Sequence, residues 1–227
     1  MPDLAEQRGD FEEWFMEPLH EASLHTHVVD PRKGTTLPTP TNYAGILLTG
    51  SHSMVTDQEE WNRKTAAWLP GVVASKVPLL GVCYGHQLLA DAMGGHVDNH
   101  PQGIEMGTVE IELELAAQND SLMKNLPQTL KVHASHTQSV ITLPPDAVLL
   151  AVNAWEAHHA FAVGDCAWGI QFHPEFDAHI MQTYINAFQG YLKSEGQDVD
   201  RLLKQVQETP YSRQVLERFA EVIVERN

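Results

Sequence analysis

The sequence predicts an α/β fold, an open and mainly parallel sheet with helices on both faces. Three observations predict it. Short, wholly apolar runs alternate with helical patterns through the first half, as strands buried on both faces require. Two of these runs, AGILLTG (44–50) and VPLLGVC (77–83), are strand-length and close at a turn. The chain has 227 residues, 43% of them hydrophobic, so it can bury one substantial core. One domain over 1–227 is therefore expected, with its core at about 43–192 and a helical tail at about 198–225.

The elements follow in order. DFEEWFMEPL (10–19) carries Phe11, Trp14, Phe15 and Leu19 at helical spacing, with Asp10 as candidate N-cap. HVVD (27–30) reads as a short strand, and the Pro/Thr/Gly-rich stretch after it as a loop. The run 44–50 is a buried strand. A helix is expected over 57–76, with Pro70-Gly71 a point where it kinks or stops early. A second apolar strand, 77–83, leads into a helix over 84–95 that stops at paired glycines. In the second half, 107–115 alternates strictly, placing Glu112 and Glu114 on a solvent face. Further strands are expected at 130–136, 147–152, 158–163 and 167–173. A helix should span about 178–192, and the tail should form two helices broken at Pro210. Trp155, Phe161, Trp168 and Phe172 are expected in the core.

Charge narrows the partners. The formal net charge of −16 opposes phosphate backbones and anionic lipid surfaces, so neither nucleic acid nor membrane is expected. No run approaches the roughly 18 apolar residues a spanning helix needs. Two cysteines, Cys83 and Cys166, and no apolar leader after Met1 point to a reducing cytoplasm. Thirteen histidines include the pairs His25/His27, His96/His100 and His158/His159, but none sits in a zinc-ligand spacing, so no metal is expected. Cys166 has no base near it in sequence and reads as a buried apolar residue.

The chemistry concentrates at PLLGVCYGHQLLA (78–90). A buried strand delivers Cys83 to the carboxyl edge of the sheet, where open α/β folds place their ligands. A helix starts immediately afterwards, and its positive N-terminal end favours the thiolate. This is the layout of a nucleophile elbow. Gly85 allows close backbone approach, Gly81 relieves crowding beneath the turn, and the Tyr84 N–H is one candidate oxyanion donor. A cysteine merely buried in a strand is the bland alternative. Downstream, QFHPEF (171–176) places His173 and Glu175 two residues apart, on one face if that segment is a strand.

GVCYGHQLLA resembles the G-x-C-x-G-x-Q signature of class I glutamine amidotransferases, and QFHPEF resembles that family's His-Pro-Glu signature, in the same order. The resemblance runs from about Tyr43 to Tyr184, most like stand-alone proteins related to the amidotransferase domain of GMP synthetase. It implies a flavodoxin-like sheet and a Cys83–His173–Glu175 triad that hydrolyses the γ-amide of glutamine through a glutamyl thioester, with no cofactor. It implies an oxyanion loop at TGSHS (49–53), giving Gly50 and Ser51 N–H groups beside that of Tyr84. Gln87, Ser135, His136 and Gln138 become candidate substrate-binding residues. Glutamine or a γ-glutamyl compound is the implied substrate, and a separate synthetase a possible recipient of ammonia.

Two departures matter. SHTQ (135–138) stands where the GMP synthetase relatives carry SHGD, so Thr137 and Gln138 move the chain away from GMP synthesis. No S-G-G-x-D-S loop is present, so the chain is not expected to activate an ammonia acceptor itself. The family also opens with an apolar strand before its first helix, and nothing strand-like precedes residue 10. The competing readings are a γ-glutamyl peptidase with the same triad and a non-catalytic regulatory subunit.

Overall fold

The computed structural model describes residues 11–226. Seven strands form one sheet in the order β1-β2-β9-β8-β7-β4-β5, and β3 and β6 form a separate two-stranded ribbon. Strands β1 (Ile46–Leu48), β2 (Leu79–Val82) and β9 (Ala167–Ile170) run parallel. Strands β8 (Ala160–Val163), β7 (Val148–Val152), β4 (Glu105–Leu113) and β5 (Thr129–His136) continue the sheet antiparallel. The sheet is thus mixed, and the mainly parallel expectation holds only for the three strands around Cys83. The cause is connection length. A parallel neighbour needs a crossover of about a dozen residues or more. Only the turn 164–166 separates β8 from β9, which forces them antiparallel.

Helix α1 (Phe11–Glu21) forms where the apolar spacing predicts; Asp10, its candidate cap, lies outside the described residues. Helix α2 (Glu60–Ser75) continues through Pro70 and Gly71 without stopping. Helix α3 (Tyr84–Ala92) follows β2 directly. The predicted 178–192 helix is two, α4 (Ala178–Ala187) and α5 (Gln189–Ser194), divided at Phe188. Asp177 caps α4, its carboxylate accepting from the Ile180 N–H at 2.7 Å. The tail forms α6 (Val199–Gln205) and α7 (Pro210–Arg226), with Pro210 opening the second helix, where its missing N–H costs no hydrogen bond.

Alternation along the central strands divides the core. Leu80, Val82, Trp168 and Ile170 point to the face covered by α1 and α7, where Phe15, Phe219 and Val222 meet them. Leu79 and Ala167 point to the face covered by α2 and α3, against Leu69, Val72, Leu88 and Leu89. Gly81 and Gly169 lie opposite each other in the β2–β9 ladder on this second face. A Cβ on Gly81 would fall 2.5 Å from the Gly85 carbonyl oxygen, and one on Gly169 would fall 2.7 Å from His86 Nδ1. Two absent side chains therefore let the first turn of α3 rest directly on the sheet.

Some expectations fail. HVVD does not form a strand; residues 25–28 are exposed, and apolarity without a pairing partner makes no ladder. The run 44–50 shortens to β1, which is half-buried rather than buried. Its only strand partner among the described residues is β2, and a groove of about 960 Å³ runs along its other side. Phe15, Leu24, Val29, Phe219 and Ile223 line that groove. Strands β3 (His96–Asn99) and β6 (Gln138–Thr142) are not predicted at all. Trp155 is half-buried and stacks on His100, whereas Phe161, Trp168 and Phe172 are fully buried. Glu112 and Glu114 are exposed, as alternation predicts.

Candidate active site

The site is built from the elbow upward. Cys83 joins β2 to α3 with φ 50° and ψ −102°, a backbone conformation that L-residues rarely adopt. Strain of this kind, of order 1–3 kcal/mol, persists only where the surroundings impose it. Here Cys83 N–H donates to the Ile170 carbonyl at 2.9 Å and the Cys83 carbonyl accepts from Gln87 N–H at 3.1 Å, clamping the residue between sheet and helix. Gly85 lies against β1, where a Cβ would fall 2.5 Å from the Leu48 carbonyl oxygen. Tyr84 is the first residue of α3, so its N–H has no acceptor within the helix and the positive end of the dipole sits at the thiol.

His173 and Glu175 lie just past the end of β9, in a turn in which Phe176 N–H reaches the His173 carbonyl. They are not on a strand, so their meeting owes nothing to strand alternation. The turn itself brings them together: His173 Nδ1 and Glu175 Oε1 are 2.7 Å apart, both side chains buried. The imidazole also stacks on Phe176, ring centroids 4.2 Å apart, which fixes its plane. His173 N–H donates to the His133 carbonyl at 2.8 Å, tying the turn to β5.

Burial and charge compete at the thiol. Burial alone would push Cys83 up; the charge of His173 and its hydrogen bond, and after them the charge of His136, outweigh burial and hold the thiol below its ordinary value. His173 moves the other way. Burial opposes its charge, but Glu175 and Cys83 raise its proton affinity well above the ordinary imidazole value. The pair therefore favours a thiolate facing an imidazolium.

The other predicted residues distribute as follows. Gly50 packs against both Cys83 and His173: a Cβ there would lie 3.2 Å from His173 Cε1 and 3.7 Å from Cys83 Cβ. Ser51 follows in the same loop, its Oγ accepting from the Ser53 N–H at 3.1 Å. Ser135 lies beside Cys83, its carbonyl oxygen 3.8 Å from the sulfur. Gln87 is buried and donates both amide hydrogens to protein, to the Gln138 carbonyl at 2.8 Å and to Gln171 Oε1 at 2.9 Å. Gln138 is buried as well. Its Oε1 accepts from the Val55 N–H at 3.0 Å, and its Nε2 donates to Thr56 Oγ1 at 2.6 Å and Asn99 Oδ1 at 3.2 Å. Both glutamines brace loops in this structure. His136 is buried with both ring nitrogens occupied by protein.

Sequence reasoning missed Glu105, Glu156 and the role of His159. Glu105 Oε2 lies 2.9 Å from His136 Nε2 and 3.2 Å from His159 Nε2. Glu156 is buried, accepts from Ser139 Oγ, and accepts from the His158 N–H at 2.8 Å. The signal was the acid two residues before the predicted strand start at 107, beside the His158/His159 pair weighed only as metal ligands.

A family profile described as Glutamine amidotransferase class-I matches residues 7–189. The chain belongs to this family. A similar solved structure is that of a glutamine amidotransferase from Thermotoga maritima, with TM-score 0.78, 24% identity, and 92% of this chain and 91% of that one covered. A glutamine-hydrolyzing GMP synthase subunit from Pyrococcus abyssi is 39% identical over 135 residues, 59% of this chain and 67% of that protein. Gamma-glutamyl peptidase 4 of Arabidopsis thaliana is 28% identical over 146 residues, 63% of this chain and 58% of the peptidase. The matched region thus spans less than two thirds of that peptidase. Among the described residues, no helix is long and apolar enough to cross a membrane.

Proposed function

We propose that this amidotransferase-family chain hydrolyses the γ-amide of glutamine, with Cys83 as nucleophile, His173 as acid–base and Glu175 as its orienting partner. One observation carries the reading. A cysteine strained at a strand-to-helix elbow faces a histidine whose Nδ1 is held 2.7 Å from a buried carboxylate. The Cys83 thiolate adds to the amide carbon, and its electron pair forms the C–S bond. The resulting oxyanion is met by the N–H groups of Tyr84 and of Gly50 or Ser51. The His173 imidazolium gives its proton to the nitrogen, ammonia leaves, and a glutamyl thioester remains. Water, deprotonated by His173, then releases glutamate and restores the thiol. A separate synthetase in the cytoplasm is the natural recipient of the ammonia.

A second reading replaces glutamine with a γ-glutamyl peptide, the same thioester forming as the amine departs. The likeness to a gamma-glutamyl peptidase of Arabidopsis thaliana supports it. Incubation with glutamine and separately with γ-glutamyl dipeptides, following ammonia and free amine, distinguishes the two. Ammonia from glutamine that vanishes in Cys83→Ala supports the first. Amine release from dipeptides alone supports the second. Inertness toward both, with no Cys83 labelling by a glutamine-like electrophile, overturns both.

A further inference from the structure

Behind the nucleophile lies a second buried histidine–carboxylate pair. His136 ends β5 and Glu105 opens β4, and the ladder places them directly opposite each other. Cross-strand partners on one face are within side-chain reach, so the register alone sets this contact. His136 Nδ1 lies 2.9 Å from the Gln138 carbonyl oxygen, and His136 Nε2 lies 2.9 Å from Glu105 Oε2. Both neighbours are acceptors only. A neutral imidazole carries one N–H and would set a lone pair against one of them, so both contacts are satisfied only by the doubly protonated ring. The His136 side chain is 1% exposed, so water cannot replace either partner.

Glu105 is held as a carboxylate by the same surroundings. Its Oε1 accepts from Asn153 Nδ2 at 2.7 Å, and Oε2 faces both His136 and His159. Burial opposes its charge, but the hydrogen bonds from the two imidazoles prevail and hold the carboxyl well below the usual range. The groups that raise His136 are Glu105 on β4, Glu156 from the turn before β8, and Cys83 from the elbow; two further imidazoles face it, His159 with ring centroids 6.2 Å away and His86 on α3. Burial disfavours the His136 charge, and the first three groups raise its proton affinity above the ordinary value.

We propose that the Glu105–His136 pair is a positioning unit that keeps a positive charge behind Cys83 and so favours its thiolate alongside His173. The inference rests on Cys83 being the nucleophile. His136 acts through the thiol rather than on substrate, because its two ring nitrogens are spent on Gln138 and Glu105. The link to the thiol is short in chain terms: the Cys83 thiol faces the carbonyl of Ser135, the residue bonded to His136.

The test is the pH dependence of Cys83 alkylation by iodoacetamide in the full chain, read on the Cys83 peptide by mass spectrometry. Wild type is compared with Glu105→Gln and His136→Gln, with folding monitored by near-ultraviolet circular dichroism. The wild-type thiol should titrate below its ordinary value, and each variant should raise the midpoint by about one unit, as loss of a nearby opposite charge does. A low wild-type midpoint that neither folded variant moves overturns the inference and leaves the nucleophile reading intact. An ordinary wild-type midpoint overturns both. Should the variants not fold, nitrogen NMR of the wild-type His136 ring decides: two protonated nitrogens from pH 6 to 8 support the proposal, and a neutral tautomer there overturns it.

Discussion

His173 Nδ1 and Glu175 Oε1 stand 2.7 Å apart in a buried turn, so the imidazole has its counter-charge built in beside it. Replacing Glu175 with Gln preserves shape but removes the charge that raises His173. We expect kcat/KM to fall roughly 10²- to 10⁴-fold, the range of a disabled acid–base group. The alkaline limb of the pH profile should also move to lower pH. Steady-state ammonia release across pH checks both.

Thiol reactivity gives a second prediction. Wild-type Cys83 should alkylate readily well below pH 9.0, the ordinary thiol value, because the charges of His173 and His136 outweigh burial. Removing the imidazole in His173→Ala leaves burial less opposed. The midpoint should then rise toward the ordinary value or past it, measured by the rate of iodoacetamide modification against pH.

Gly81→Ala should be costly although Gly81 brings no side chain to the site. The new Cβ would meet the Gly85 carbonyl at 2.5 Å, and backbone cannot step aside as a flexible side chain does. A loss of about 1–3 kcal/mol is expected for such overpacking. Urea unfolding measures the loss, and activity should drop with it as α3 lifts from the sheet.

Helix α7 lies beyond residue 189, where the family match ends, yet it buries Val215, Leu216, Phe219, Val222 and Ile223 in the core under α1. Phe219→Ala should therefore destabilise by about 3–5 kcal/mol, as large aromatic truncations in cores do. The thermal midpoint should fall while kcat at low temperature is largely retained.

The Glu105–His136 pair predicts a pH window for stability. Glu105 is depressed in the folded state, so its contribution is complete above its ordinary value of 4.5 and is lost as pH falls through the lowered one. His136 is raised, so its contribution is complete below 6.5 and is lost as pH rises through the raised value. The stability gap between wild type and Glu105→Gln should be widest from pH 4.5 to 6.5 and narrow on both sides. Urea titrations at a series of pH values test this.

Much of the candidate site's geometry was legible because it depends on local order: apolar strand, cysteine, small residues, helix. Cys83, Gly81 and Gly85 behave as that order implies. His173 and Glu175 were singled out by motif and do lie together, but the strand geometry invoked for them was wrong; a turn joins them. What stayed hidden depends on pairing between distant segments. The Glu105–His136 contact exists only once the β4–β5 register is known, and nothing in either segment announces it. HVVD and β1 erred in the same way, since apolarity does not reveal whether a neighbouring strand is present. The β8–β9 turn was readable in principle, because a three-residue connection excludes a parallel pairing.

The opposed glycines Gly81 and Gly169 carry a lesson for anyone surveying substitutions in this chain by growth or turnover. Such a survey would rank both among the most sensitive positions, level with Cys83. Neither donates, accepts or ionises through a side chain. Their sensitivity would report the seating of one helix, not chemistry. Ranking by lost turnover alone would confuse the foundation with the tool, unless folded yield is scored alongside it.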